Sequence, residues 1–215
     1  VKVKWIGHAC FLITANNGVR VIVDPYAVGG GINYSPIKET ADVVVVSHDH
    51  SDHNNVSAVK GNPEVVKDGG EETAKGIRFK GIATYHDASR GGQRGPNVVF
   101  CFSIDDVNFC HLGDLGHELS AEEVEQIGAV DILFIPVGGF FTIDAAVASQ
   151  VCDRLKPRIA IPMHFKTRGC TYSIAGVEDF LKDKHNVKRI GGSEVEFEQQ
   201  KLPAHTEIVL LQPAS

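Results

Sequence analysis

The sequence predicts an α/β fold built on a mixed sheet. Two observations carry that reading. The first part of the chain is strand-rich, with short apolar or alternating runs between turn residues, and the later part alternates strand runs with helical ones. The length of 215 residues suits one domain over 1–215, long enough for a sizeable core. With 43% hydrophobic and 22% charged residues the chain reads as globular, and no apolar run approaches the ~20 residues of a membrane helix.

Taken in order, Val1, Val3 and Trp5 alternate with lysines as a strand, and Cys10-Phe11-Leu12-Ile13 is a second apolar run. Asn16-Asn17-Gly18 is a hairpin turn, and Val19 to Val23 leads into Asp24-Pro25. Tyr26 to Thr40, with Gly29-Gly30-Gly31 and Pro36, reads as a flexible loop and a wall of the site that follows. Val43 to Val46 is a buried strand. Strand runs recur at Glu64-Val65-Val66, Ile77 to Ile82, Val98 to Ile104, Val107 to Leu112, Asp131 to Pro136, Arg158 to Pro162, Glu194 to Gln199 and Glu207 to Leu211. Ser120-Ala121-Glu122-Glu123 is a capping box opening a short helix. Val147, Ala148, Val151, Cys152 and Leu155 share one face of a second helix ended by Pro157, and Val177, Phe180 and Leu181 mark a third.

The chemistry concentrates after Val46. Ser47-His48-Asp49-His50-Ser51-Asp52-His53 presents three imidazoles and two carboxylates in six residues, a poor composition for a core. Imidazole and carboxylate are ligands of zinc, iron and manganese. A loop at a strand end turns His48 and His50 to one metal and Asp52 and His53 to another. His86, Asp114 and His164 also follow apolar strands. His111 competes with His86, and His8 in the Gly7-His8 turn is either a brace for the site or a turn residue.

His48-x-His50-x-Asp52-His53 behind an apolar strand resembles the signature of the metallo-β-lactamase superfamily, and the resemblance runs from Trp5 to about Thr167. It implies a four-layer αββα sandwich, two β-sheets face to face with helices outside. It implies that His86 joins His48 and His50 on one metal, that His164 joins Asp52 and His53 on the second, and that Asp114 bridges them. Asp24 matches a buried acid bracing the metal loop, and His111 becomes a structural neighbour. The flavin-linked diiron branch usually has Glu where this chain has His50, so hydrolysis is favoured over oxygen reduction. The Gly7-His8 turn, the His86 segment and Gly113-Asp114-Leu115 look most like the branch of ascorbate-phosphate lactonase and N-acylphosphatidylethanolamine phospholipase D.

The expected function is therefore metal-dependent hydrolysis with two divalent ions per chain, zinc first, manganese or iron as alternatives. Two ions roughly 3.5–4 Å apart lower the pKa of a shared water from 15.7 toward ~7. Asp52 and Asp114 are the catalytic carboxylates. Lys166, two residues after His164, and Arg90 and Arg94, after His86, are expected to bind a small anionic ester, a phosphodiester or lactone. A net charge of -6 argues against nucleic acid as a partner. The five cysteines are odd in number, lack a Cys-x-x-Cys and lie mostly in apolar runs, as expected of reduced, buried thiols. With no signal-peptide block at the start, a cytoplasmic location is expected; a homo-oligomer is left open. An iron redox enzyme of the same fold and a non-catalytic metal-binding module are the competing readings; 215 residues is short for an amidohydrolase barrel.

Overall fold

The computed structural model describes residues 1–214. It begins with an antiparallel meander of β1 (Lys2–Gly7), β2 (Cys10–Thr14) and β3 (Arg20–Val23). β4 (Val43–Val45) and then β5 (Glu64–Val66) add in parallel. The second sheet starts with an antiparallel run of β6 (Gly70–Ala74), β7 (Ile77–Tyr85), β8 (Pro96–Ile104) and β9 (Val107–His111). The chain then alternates: α1 (Ala121–Ile127), β10 (Ile132–Pro136), α2 (Ala145–Leu155), β11 (Ile159–Met163) and α3 (Glu178–Leu181). Three short strands follow, β12 (Val187–Arg189), β13 (Glu194–Glu196) and β14 (Glu207–Leu210). One sheet has the order β13-β1-β2-β3-β4-β5, and the other β12-β14-β11-β10-β9-β8-β7-β6. This is the expected mixed α/β arrangement of two sheets.

The sheets meet across an aromatic seam. Phe11 of β2 stacks on Phe134 of β10 with centroids 4.2 Å apart, and Phe134 continues to Phe109 at 6.0 Å. All three are essentially inaccessible. Phe134→Ala is therefore expected to cost about 3–5 kcal/mol, read from the urea midpoint. A loss under ~1 kcal/mol, the range of an ordinary surface change, would show that the seam does not hold the sheets together.

The outer face of the second sheet is covered by helix. α2 buries Ala148, Val151, Cys152 and Leu155, the face read from the sequence, and its chain leaves through Lys156 in a left-handed conformation. The capping box at Ser120 is complete, with Ser120 Oγ accepting from Glu123 N and Glu123 Oε2 accepting from Ser120 N. α3 is only one turn long. The outer face of the first sheet is covered differently. Tyr26, Ile32, Tyr34, Ile37, Val59 and Cys170 pack there on Ile6, Leu12, Ile22 and Val44. The 26–40 segment thus forms core, with Tyr34 against Gly7 and Gly169. The final strand runs are shorter than expected: residues 199–201 form a 3₁₀ turn.

Two strands have no counterpart in the sequence reading. β6, Gly-Glu-Glu-Thr-Ala, and β12, Val-Lys-Arg, are both sheet edges and mostly exposed. An edge strand is held by one neighbour's backbone and needs no apolar alternation, so periodicity does not reveal it.

Candidate metal centre

Both sheets deliver their strand ends to one place. β4 ends into Ser47 and the loop to His53, β7 into His86, β9 into Gly113-Asp114, and β11 into His164. The β1–β2 turn adds His8, and the end of β3 adds Asp24. His8, Asp24, His164 and Gly113 all hold positive φ, at 53°, 44°, 50° and 56°. Such backbone is costly for residues other than glycine and gathers at functional sites. Gly113 leaves no alternative: a Cβ there would meet Asn97 Oδ1 at 2.4 Å and Ser47 Cβ at 2.6 Å.

Asp24 organises the first half of the cluster. Its Oδ1 accepts from Ser47 N (2.7 Å), and its Oδ2 accepts from Ser47 Oγ (2.7 Å). The same Oδ2 lies 2.9 Å from His53 Nδ1 and 2.8 Å from His111 Nε2. Burial raises its pKa, but the His111 and His53 imidazoles outweigh that and hold the carboxyl far below its usual range. With Asp24 accepting at Nδ1, His53 turns Nε2 toward Asp114. Ser47 Oγ, having given its proton to Asp24, faces His48 Nδ1 at 2.9 Å, and His48 too presents Nε2 inward. His111 reaches only Asp24 in this network and lies behind it.

Asp114 occupies the centre. Its Oδ2 is 3.1 Å from His53 Nε2, 3.1 Å from His86 Nε2, 3.2 Å from His164 Nε2 and 3.8 Å from His48 Nε2. Asn97 Oδ1 accepts from the Asp114 backbone N–H at 2.9 Å, while its amide donates to Thr84 Oγ1 and the Leu112 carbonyl. Around Asp114 the potential ligand atoms form two groups, each within 4.8 Å: His48, His50 and His86, and His8, Asp52, His53 and His164. A third, Asp24 with His48 and His53, fits the same distance, but the Asp24 oxygens are already engaged by hydrogen bonds.

These residues fit a metal. His53 Nε2 and Asp114 Oδ1 are buried without a hydrogen-bond partner among the described residues, although His53 Nε2 lies close to Asp114. Buried orphans of this kind call for an explanation, and a cation between them supplies one. Burial and neighbouring histidines push the His8 imidazole down to about 4 and that of His48 to about 3, leaving them neutral with lone pairs to donate. His53 goes the other way: burial lowers it, but Asp114 and Asp24 raise it well above the usual value. Two buried carboxylates therefore ask for positive charge where His53 stands. A metal held there by His53 would meet the same demand for positive charge.

A cavity of 230 Å³ opens on the cluster, lined by His50, Asp52, His86, Arg94, Asp114, Phe141, His164 and Tyr172. Larger cavities exist, one of 320 Å³ between α2 and β14, but that one is lined by no residue of the histidine cluster. Of the three expected anion-binding cations, only Arg94 reaches the lining. Its guanidinium carbon stands 5.6 Å from the Phe141 centroid and 5.9 Å from that of Phe140, and no carboxylate among the described residues pairs with it. Asp87 sets this up by accepting backbone N–H groups from Ser89, Gly91, Gln93 and Arg94. Burial raises that carboxyl, yet the four donors bring it down to about 2. Lys166 is exposed, with its ammonium donating to the Tyr172 carbonyl at 2.6 Å, and Arg90 is exposed on the loop; neither lines the cavity. The 26–40 segment also contributes no lining side chain. It braces from behind, through Ala27 N to Ser51 O and Thr171 N to Gly31 O.

Tyr172, Phe141 and Asn97 were not read from the sequence. Tyr172 OH donates to Asp52 Oδ2 at 3.3 Å, on the carboxylate that His8 Nε2 approaches at 3.1 Å. The available signal was Phe140-Phe141: two aromatics in a glycine-flanked loop, one of them 67% exposed, are unusual unless they serve a surface.

A carboxylate-centred histidine cluster at the strand ends of two packed sheets defines a metallohydrolase of the metallo-β-lactamase class. The model of the β-lactamase superfamily domain matches residues 2–164, and the chain belongs to that family. A UPF0173 metal-dependent hydrolase of Thermoplasma acidophilum is 31% identical over 78% of this chain and 84% of its own length. The crystal structure of a candidate zinc-dependent hydrolase of the metallo-β-lactamase superfamily from Thermotoga maritima superposes with a TM-score of 0.81. It is 37% identical and covers 98% of this chain and 97% of that one. CmlA, a diiron β-hydroxylase from Streptomyces venezuelae, shares the fold alone, at 16% identity and TM-score 0.53 over 76% of this chain and 44% of that one. The protein is a metal-dependent hydrolase. Among the described residues no helix is long and apolar enough to cross a membrane.

Proposed function

We propose that this hydrolase holds two divalent metal ions, zinc by first choice, and cleaves a small anionic ester such as a phosphodiester or lactone. The observation that carries the proposal is Asp114 Oδ2, within 3.8 Å of four imidazoles and flanked by two separate ligand groups. One tetrahedral ion needs at most four ligands, and these groups offer seven besides Asp114. His48, His50 and His86 would hold one ion; Asp52, His53 and His164, with His8 packed 4.1 Å from His164 by ring centroids, would hold the other. When bound, the ions supply hydroxide at neutral pH and a Lewis acid for the ester oxygen.

The remaining roles belong to the chain. Asp24 and Ser47 fix the tautomers of His53 and His48, and Asn97 fixes the Asp114 backbone. His8 and Tyr172 hold Asp52 from two sides. Arg94, uncompensated and resting on two phenyl rings, attracts a negative group to the mouth of the cavity. A 310 Å³ groove continues past His50 and Arg94 to Lys67, but Asp49 and Asp68 line it too, so the anion site rests on Arg94. Phe141 and Tyr172 add aromatic surface to the same cavity lining.

Metal analysis of protein purified without added metal, followed by a panel of phosphodiester, lactone, thioester and β-lactam substrates, tests the reading. Two zinc ions per chain and turnover of a phosphodiester or lactone are expected. A stoichiometry that stays at one under metal excess removes the dinuclear part, and iron with a redox signature moves the chain to oxygen chemistry. Arg94→Ala should raise KM for an anionic ester about 10–100-fold more than for a neutral ester with the same leaving group, the worth of one charge-assisted contact. Equal effects on both would leave the anion site without support.

A further inference from the structure

The hairpin of β8 and β9 carries two free thiols that face each other across the strands. Its two-residue turn is Asp105-Asp106, with φ of 52° and 62°. Two left-handed residues make the type I′ geometry that fixes hairpin register. In that register Cys101 stands directly opposite Cys110. Directly opposed residues project to the same face of a sheet with Cβ atoms roughly 4.5–5.5 Å apart, and a disulfide spans Cβ atoms roughly 3.5–4.5 Å apart. The strands need to close by only about 1 Å to join the two sulfurs. Both thiols are free.

We propose that Cys101 and Cys110 form a dithiol site that hydroperoxides convert to a cross-strand disulfide. Access favours Cys101 as the attacking sulfur. It is partly exposed, whereas Cys10, Cys110, Cys152 and Cys170 are buried. Lys80 sits opposite it on β7, so the row across the sheet reads Lys80, Cys101, Cys110. The Cys110 thiol and then the Lys80 charge bring the Cys101 thiol below its ordinary value against the effect of burial. Hydrogen bonding to Cys101 and burial push Cys110 up, and burial takes Cys152 to about 12. Cys110 stays protonated until it reacts, and its place directly opposite Cys101 is what lets it resolve what Cys101 begins.

The step balances. The Cys101 thiolate attacks one peroxide oxygen, the O–O bond breaks, and the departing hydroxide takes a proton to become water. Cys101 is left as a sulfenic acid. The Cys110 thiol gives up its proton as its sulfur attacks the Cys101 sulfur, the S–O bond breaks, and a second water leaves. Two thiols are oxidised by two electrons and one hydrogen peroxide is reduced to two waters.

The test treats fully reduced protein with hydrogen peroxide, blocks remaining thiols with an alkylating agent under denaturing conditions, and maps peptides by mass spectrometry. The expected result is a linked pair of peptides containing Cys101 and Cys110, with Cys10, Cys152 and Cys170 still alkylated. Cys101→Ser, checked for folding by circular dichroism, should slow loss of the Cys110 thiol at least about tenfold. Cys110→Ala should leave Cys101 trapped as sulfenic acid by a dimedone probe. Two results would overturn the proposal: Cys110 fully alkylated while Cys101 is found as sulfinic or sulfonic acid, or both thiols intact at a peroxide dose that oxidises a free dithiol control.

Discussion

Asp114→Ala is expected to lower kcat/KM by about three orders of magnitude, roughly 4 kcal/mol of transition-state stabilisation. Asp114 is 2% exposed and its carboxylate stands among four imidazoles that share no other anion among the described residues. Its removal leaves His53, His86 and His164 facing one another, so bound metal should fall from two ions to one or fewer. Asp114→Asn keeps the shape and one acceptor oxygen while removing the charge, which separates electrostatics from packing. Metal content by elemental analysis and kcat/KM on the substrate found in the panel are the two readouts. An alanine variant that keeps both metals and more than a tenth of its activity would falsify the central role given to Asp114.

Asp24→Ala should be nearly as damaging, through a different route. No side chain of the cavity lining touches Asp24, yet Ser47, His53 and His111 all depend on it. Removing one partner of a fully buried ionic cluster costs about 3–5 kcal/mol, because Ser47, His53 and His111 all lose their buried acceptor. Metal affinity should drop by roughly 10–100-fold, since His53 and His48 lose the contacts that set their tautomers. Urea denaturation of the metal-free protein measures the first effect and competition with a chelator the second. If affinity is unchanged while stability falls, Asp24 is a core acid with no bearing on the metals.

Much of the cluster was legible because its residues are local signals. His48, His50, Asp52 and His53 occupy one short loop, and His86, Asp114 and His164 each follow an apolar run, where a strand hands its next side chains to the sheet edge. His86 faces Asp114, while His111, still within β9, is turned to Asp24, and this contrast supports proposing His86 as the ligand. The substrate side was less legible because it is assembled from long-range contacts. Lys166 is two residues from His164, but its ammonium is captured by a carbonyl six residues further on. Tyr172 meets Asp52 across 120 residues of sequence, in a segment without periodicity. The 26–40 segment looked like a loop because its buried residues, Tyr26, Ile32, Tyr34 and Ile37, follow neither a helical nor a strand repeat. Irregular backbone can still form core where its polar groups are paired, as in Gly29 with Ile32 and Asn33 with Gly169.

The pairing of β1 with β13 has a consequence for how the molecule is made. β1 leaves the ribosome well before its outer neighbour, since Val3 and the opposite Val195 are separated by 192 positions of the chain. At roughly 5–20 residues per second, translation leaves that edge of β1 open for about 10–40 s. During this interval the strand that ends at the Gly7-His8 turn presents unpaired amides and carbonyls to its surroundings. Lys2 and Lys4 lie along it, and charged side chains of this kind discourage pairing with another nascent strand. The long-range closure also raises contact order, so folding of the first sheet is slow by topology rather than by weak local preference. The alternating lysines thus serve twice, discouraging pairing while the edge is open and, once β13 covers it, lying beside Glu194 and Glu39.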